Sequence, residues 1–222
     1  MKTPLLLVPL LGLFVSVDAG VKRHDLGHAN RFTLSSGGKT LGFYGSGAEA
    51  KADLVLLTHH RRDFVGRLGE RSVAPLAEQD HFTKTLEYWT GMAKKRFHYY
   101  TQQSTKILVE PVKVSRWVKG GDEIIWQDLK FKVLATPGFT RGSVSYLSTI
   151  DGKRMAFTGD LIYGDGKIFD LYSFQDAIPE ARVGGYHGYA ARLADLVSSL
   201  RKIKSANPDV IYPARGPIIK NP

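Results

Sequence analysis

Apolar and polar positions divide the chain into extended and helical stretches before any chemistry is considered. Arg31 to Leu34 and Lys39 to Tyr44 read as two short extended segments, separated by the turn signal Ser35-Ser36-Gly37-Gly38. Leu54 to Leu57 is an uninterrupted apolar run of strand length, the pattern of a strand buried on both faces. Between Pro75 and Tyr100 the spacing turns helical, with Leu76, Phe82, Leu86 and Trp89 facing inward and Gly91 interrupting. Extended runs return at Val112 to Val118, Glu123 to Trp126, Leu129 to Ala135, Val144 to Leu147 and Met155 to Thr158, punctuated by Gly120-Gly121 and Asp151-Gly152. Leu193, Leu196, Val197, Leu200 and Ile203 then mark one apolar face of a helix that Asn207-Pro208 ends, and Val210 to Tyr212 is a last short strand. Strands, helix, strands, helix make an α+β chain.

With 222 residues, of which 43% are hydrophobic, the chain can bury a substantial core, and it holds no repeat or long linker. The start differs from the rest. Lys2, an apolar run from Leu5 to Val17, and Val17-Asp18-Ala19 have the order of a secretory signal peptide cleaved after Ala19. The competing reading, a membrane anchor, meets a run shorter than the roughly 20 residues a spanning helix needs. The expectation is a leader over 1–19, one domain over 20–222, a secreted or periplasmic location, and no stable membrane span after cleavage. Cysteine is absent, so any metal would rest on His, Asp or Glu alone. The net charge of +10 favours anionic contacts in general. Its carriers, among them Arg67, Arg71, Lys94-Lys95-Arg96, Lys202 and Lys204, are scattered with no nucleic-acid motif around them, which reads as a solvated surface and excludes a specific nucleic-acid partner.

The chemistry gathers where the apolar run ends: Leu54-Val55-Leu56-Leu57-Thr58-His59-His60-Arg61-Arg62-Asp63-Phe64-Val65-Gly66. A buried strand delivers side chains to a site at its carboxyl end, and this one delivers two histidines and an aspartate. The stretch resembles the metallo-β-lactamase superfamily loop Thr-His-x-His-x-Asp-His, with His59 and Asp63 in pattern, Arg61 in place of the second histidine and Phe64 in place of the last. Three further segments follow in the family's order. Thr136-Pro137-Gly138-Phe139-Thr140-Arg141-Gly142-Ser143 is similar to the Thr-Pro-Gly-His turn, with Phe139 where the histidine belongs. Phe157-Thr158-Gly159-Asp160 carries the aspartate that bridges two metals in the family, and Tyr212-Pro213-Ala214-Arg215-Gly216 resembles the segment of the last histidine, here Arg215.

The resemblance implies a four-layer αββα sandwich, expected here without the family's last helix, and in the family a dinuclear zinc hydrolase site. Each Zn²⁺ wants about three protein ligands and a water. The residual ligands would be His59, Asp63 and Asp160, with Asp63 a catalytic candidate only if activity survives. Zinc is the metal expected if any is retained, and otherwise no cofactor. Charge accounting favours a different arrangement, in which Arg61 and Arg215 pair with Asp63 and Asp160 as fixed cations while Phe64 and Phe139 fill the vacated volume. His60 belongs to the same cleft-forming loop at a position that points away from the metals. His187 follows a glycine-rich loop and could swing over the cleft, and His24 and His28 precede the first strand. Plainer readings stand beside these: His59 as a hydrogen-bonded residue at a strand end, Asp63 and Asp160 as turn caps.

Three functions remain open. One is a non-catalytic binding module. Another is a hydrolase of an ester, lactone, amide or phosphoester working with a reduced metal site. The third is a pocket for a small anionic ligand built on Arg61 and Arg215. Ser143 and Ser145 lack a nucleophile elbow, and Gly42 to Gly47 lacks the dinucleotide fingerprint. Oligomeric state is left open.

Overall fold

The computed structural model describes residues 15–18, 20–27, 29–45, 52–61, 64, 68, 71–87, 111–168, 176–178, 183–184 and 191–222. Strands β1 (Val15–Asp18), β2 (Val21–Asp25), β3 (Asn30–Ser36) and β4 (Lys39–Phe43) follow one another as antiparallel neighbours. The β3–β4 hairpin closes on Gly37-Gly38 at φ 57° and 73°, the doubly positive pair that a two-residue type I′ loop demands. The parallel strands β5 (Leu54–Leu56), β6 (Ser72–Pro75) and β7 (Arg116–Val118) extend the sheet in sequence order. All three residues of β5 are buried, which is why its sequence runs apolar without alternation.

A second sheet is built from β8 (Glu123–Trp126), β9 (Leu129–Ala135), β10 (Val144–Ile150) and β11 (Lys153–Gly159). The strands β12 (Asp176–Ile178) and β13 (Val183–Gly184) pair separately, and β14 (Val210–Pro213) and β15 (Ile219–Lys220) complete the second sheet in the order β15-β14-β11-β10-β9-β8. Asp151-Gly152, at φ 50° and 75°, turns β10 into β11. β14 lies parallel to β11, and a parallel neighbour needs a crossover. That crossover includes the helix Leu193–Ala206.

The inner faces of the two sheets meet in an aromatic core. Phe43 of the first sheet stacks on Phe157 of the second with centroids 3.6 Å apart, and Phe157 stacks in turn on Tyr212 at 4.9 Å. Burying each such ring contributes about 2–3 kcal/mol. A shorter helix, α1 (Gln79–Thr83), follows a 3-10 turn at Leu76–Glu78. The longer helix α2 (Leu193–Ala206) seats Leu196 and Ile203 on Ala156, Leu161 and Ile211 of the second sheet's outer face. Mixed α and β structure, two packed sheets and few helices make this the expected α+β class.

Several expectations need correction. Leu76 and Leu86 were placed inward and are 46% and 56% exposed. Phe82 is buried as expected; the segment opens with a 3-10 turn, at 3.0 residues per turn, and the other inward positions are Glu78, His81 and Thr85 in place of Leu76 and Leu86. Trp89 and Gly91 lie outside the described residues. On α2 the buried stripe is Leu196, Ser199 and Ile203, while Leu193 and Val197 face out. Strand β7 begins at Arg116 rather than Val112, β10 and β11 run longer than their apolar cores, and β15 follows the strand read as the last. Residues 15–18 form an edge strand against β2, which leaves the expected leader untested. No helix among the described residues is long and apolar enough to cross a membrane.

Candidate functional site

Four chain segments converge at one end of the two sheets. β5 leads into Thr58-His59, the β9–β10 turn presents Phe139, β11 ends in Gly159-Asp160, and β14 leads through Ala214 to Arg215. Backbone bonds knit them: Val144 N–H donates to Thr58 O at 2.9 Å, Ala214 N–H to Gly159 O at 2.9 Å, and Gly164 N–H to Arg215 O at 2.8 Å. The Asn30 amide holds the Arg215 turn from the first sheet, donating to Pro213 O at 2.9 Å and Gly216 O at 2.7 Å. Gly159 sits at φ 61°, and a Cβ there would collide with the Thr58 hydroxyl. The position therefore needs glycine on both grounds.

Asp160 is the electrostatic centre. Its side chain is fully buried, Arg61 Nη1 donates to Oδ2 at 2.6 Å, and Arg215 Nε lies 3.1 Å from Oδ1. Burial by itself would raise this carboxyl's pKa. The His59 contact and the charges of Arg61 and Arg215 override it and hold Asp160 ionised, well below the usual carboxylate range. His59 Nε2 faces Oδ2 at 3.4 Å, a long contact whose worth is more electrostatic than hydrogen-bonding. Its other nitrogen meets Thr58 Oγ1 at 3.1 Å. The rings of Phe64 and Phe139 flank His59 with centroids 4.9 and 5.1 Å away, and Arg61 Cζ stands 4.7 Å over the Phe139 ring. Tyr163 adds a phenol bonded to Arg61, its pKa raised by burial first and by Asp160 second.

Of the expected pairing, the described residues include the part at Asp160. Both guanidiniums go to Asp160, since the ends of β5 and β14 flank the end of β11; Asp63 lies outside the described residues. His28 and His187 do too. His24 is engaged in the first sheet, its Nε2 2.8 Å from Thr33 Oγ1. His60 turns to the other side of its loop, its ring edge-on to Phe82 at 5.0 Å. Ser143 and Ser145 spend their hydroxyls on Thr140 O and Thr136 Oγ1.

Two groups that matter have no signature in the sequence. Glu78, fully buried, accepts from His60 N–H at 2.5 Å and from the Thr140 hydroxyl, and lies 3.5 Å from His81 Nδ1. It ties the His59–Arg61 loop to the Phe139 turn. Tyr44 donates to Tyr212 O at 2.6 Å and accepts from Gly159 N–H at 2.9 Å, stitching the sheets beside Asp160.

The sequence matches the metallo-beta-lactamase superfamily over residues 50–215, a stretch that contains all four converging segments. The chain belongs to that superfamily. Among curated proteins it is similar to the hydroxyacylglutathione hydrolase of Aeromonas hydrophila, 28% identical over 124 residues, which cover 55% of this chain and 39% of that protein. It is also similar to the beta-lactamase-like protein 2 homolog of Caenorhabditis elegans, 28% identical over 167 residues, covering 75% of this chain and 43% of that one. The matched stretch is thus less than half the length of these relatives. Among solved structures, a metallo-beta-lactamase of Cronobacter sakazakii described by a HARLDQ motif superposes with TM-score 0.60 at 14% identity, over 89% of this chain and 75% of that one. A subclass B3 metallo-beta-lactamase of Bradyrhizobium japonicum gives 0.59 at 18% identity, over 88% and 74%. At these identities the likeness is one of fold.

Zinc, implied by the superfamily, can be tested against the residues present. Among the described residues no group of three or more His, Cys, Asp or Glu side chains comes together in a way that could hold a metal. His59 and Asp160 are the described remnant, and the Asp160 oxygens are taken up by Arg61 and Arg215. Two phenylalanine rings, which have no donor atoms, occupy the flanks of His59. Two fixed positive charges would also repel a dication. The described donor set does not fit zinc, and no chemical step is derived through it.

Proposed function

We propose that this superfamily member is a non-catalytic binding module whose cleft carries permanent guanidinium charge where the enzymes carry zinc, and that it takes a small oxyanion there. The observation that carries the reading is the bracketing of Asp160 by Arg61 at 2.6 Å and Arg215 at 3.1 Å. Both guanidiniums keep some exposure, 27% and 15% of the side chain, so a ligand can reach them. A carboxylate or phosphate accepts the forked donors of a guanidinium. Export follows from the apolar leader and belongs to the same proposal.

The test is direct. The protein is equilibrated with excess zinc, desalted and assayed for metal; stray traces are expected, and near-stoichiometric zinc sinks the reading. Inorganic phosphate should bind by calorimetry, weakening with salt and about tenfold in Arg61→Ala or Arg215→Ala, with no response to a chelator.

A second reading draws on one observation. The HARLDQ motif that describes the Cronobacter protein and the present His59-His60-Arg61-Arg62-Asp63-Phe64 share His, Arg and Asp at the first, third and fifth places. An arginine at the third place thus occurs in a protein named a metallo-beta-lactamase. This supports a hydrolase with a reduced metal site, on a substrate of the hydroxyacyl thioester class that the relatives' name suggests. Chelator-sensitive turnover of such a thioester would select it.

A further inference from the structure

A second concave surface lies on the outer face of the second sheet, away from the cleft. Beside α2 lies an open groove of about 430 Å³, within the size range of small-ligand sites. Its floor is apolar, formed by Leu134, Leu147 and Ala206. Leu147 is the register partner of Lys132, and Leu134 lies two residues along β9, so all three side chains share the sheet's outer face.

The helical wall has its own pattern. Ser198, Arg201, Lys202 and Ser205 line the groove from α2, at spacings i, i+3, i+4 and i+7 that place them on one face. Two hydroxyls and two cations therefore look across at Lys132. Lys202 Nζ spans the gap to donate to Ala135 O at 2.9 Å, which fixes that cation over the floor.

The charged side chains that line the groove are all basic. Other basic residues of the same sheet and helix have acidic partners: Lys130 pairs with Glu123 at 3.2 Å, Arg154 with Asp209 at 3.0 Å, and Arg192 with Asp195 at 3.4 Å. No carboxylate lines the groove. Among the described residues, no ion pair within 4 Å involves Lys132 or Arg201; Glu123, the cross-strand neighbour of Lys132, is held by Lys130. Long cationic side chains around an apolar floor recognise a molecule that is apolar at one end and acidic at the other.

We propose that this groove binds a small amphipathic organic anion, its apolar body seated on Leu134 and Leu147 and its carboxylate, sulfonate or phosphate held by Lys132, Arg201 and Lys202. Three apolar side chains make too small a floor for a protein partner, whose stable interfaces bury about 800 Å² per side.

The probe is anilinonaphthalene sulfonate, titrated into the full-length protein by fluorescence, with leucine methyl NMR to place it. Expected are one saturable site, methyl shifts at Leu134 and Leu147, and at least a tenfold loss of affinity in Lys132→Glu with Arg201→Glu. The control, Lys39→Glu with Lys119→Glu, makes the same change in net charge on exposed residues away from the groove and should leave affinity within twofold. Equal losses in both pairs would assign the binding to bulk charge and overturn the site. So would unsaturable binding, or shifts confined to the exposed Leu193. Arg61→Ala with Arg215→Ala should leave this titration unchanged, so failure here and failure of the cleft reading are separable.

Discussion

Arg61 donates to the carboxylate of Asp160 across 99 residues of sequence, Nη1 to Oδ2 at 2.6 Å, at the turn that ends β11. Removing one partner of a buried pair strands the other, at about 3–5 kcal/mol. The arginines here are partly exposed, which screens them and lowers the expected cost. Asp160→Ala should therefore destabilise the protein by about 2–3 kcal/mol in urea unfolding, and Asp160→Asn by somewhat less because the amide oxygen still accepts. Arg61→Ala alone should cost less than Asp160→Ala, since Arg215 still neutralises the carboxylate.

Tyr44 makes a comparable prediction without charge. Its hydroxyl is buried and serves two backbone groups, Tyr212 O and Gly159 N–H. Tyr44→Phe leaves the ring stacked on Phe64, centroids 5.5 Å apart, and orphans both partners. With each buried unsatisfied group costing about 1–3 kcal/mol, the expected loss is about 2–4 kcal/mol. Tyr146→Phe, whose hydroxyl donates only to Leu57 O, should lose about half as much.

These residues also mark how far the sequence could be read. The sheets were legible because Leu54 to Leu57 is apolar throughout and Gly37-Gly38 and Asp151-Gly152 state their turns locally. The converging segments were legible because each carries its own short motif. That both arginines share Asp160 was not, because it depends on where the ends of β5, β11 and β14 meet in space. Glu78 was invisible for a related reason. In Ala77-Glu78-Gln79-Asp80 it looks like one more solvated helix residue, and only the long-range meeting with His60 and Thr140 buries it. Leu76 and Leu86 misled because a 3-10 turn shifts the inward register.

His60 gives a pH signature. Burial first, then the neighbouring His81 and His59, lower its pKa from 6.5 to about 4 against the opposing pull of Glu78. An imidazole whose folded pKa lies below its unfolded value refuses a proton that the unfolded chain accepts. Its contribution is therefore fully present above pH 6.5 and is lost as pH falls through 6.5 toward 4, amounting to about 3 kcal/mol. Unfolding free energies measured across that window should decline with a slope that His60→Leu reduces by about one proton. A slope unchanged by the substitution would mean that His60 is protonated in the fold.

Glu78 should behave as the tie between two loops. Its carboxylate is held below the ordinary range because, although burial raises it, His81 and Thr140 bonds and the His59 charge lower it further. Glu78→Ala removes the acceptor for the His60 N–H and the Thr140 hydroxyl together, with an expected cost of about 3 kcal/mol. Glu78→Gln keeps an acceptor oxygen and should recover about half. If Glu78 positions the cleft as well as stabilising it, phosphate affinity will fall in Glu78→Ala under conditions where circular dichroism still reports a folded protein.

The leader and the first strand make competing claims on residues 15–18, and a mass measurement decides between them. Cleavage after Ala19 would leave Gly20 as the first residue and remove β1. Among the described residues that strand pairs with β2 alone, at the edge of the first sheet, so the remaining strands keep their register and the aromatic core keeps its rings. A chain beginning at Gly20 should accordingly fold with nearly unchanged thermal stability. Intact mass of protein recovered from outside the cytoplasm is expected to correspond to residues 20–222. A mass that retains residues 15–18 would mean that β1 is part of the mature sheet and that the apolar start does not act as a cleaved signal.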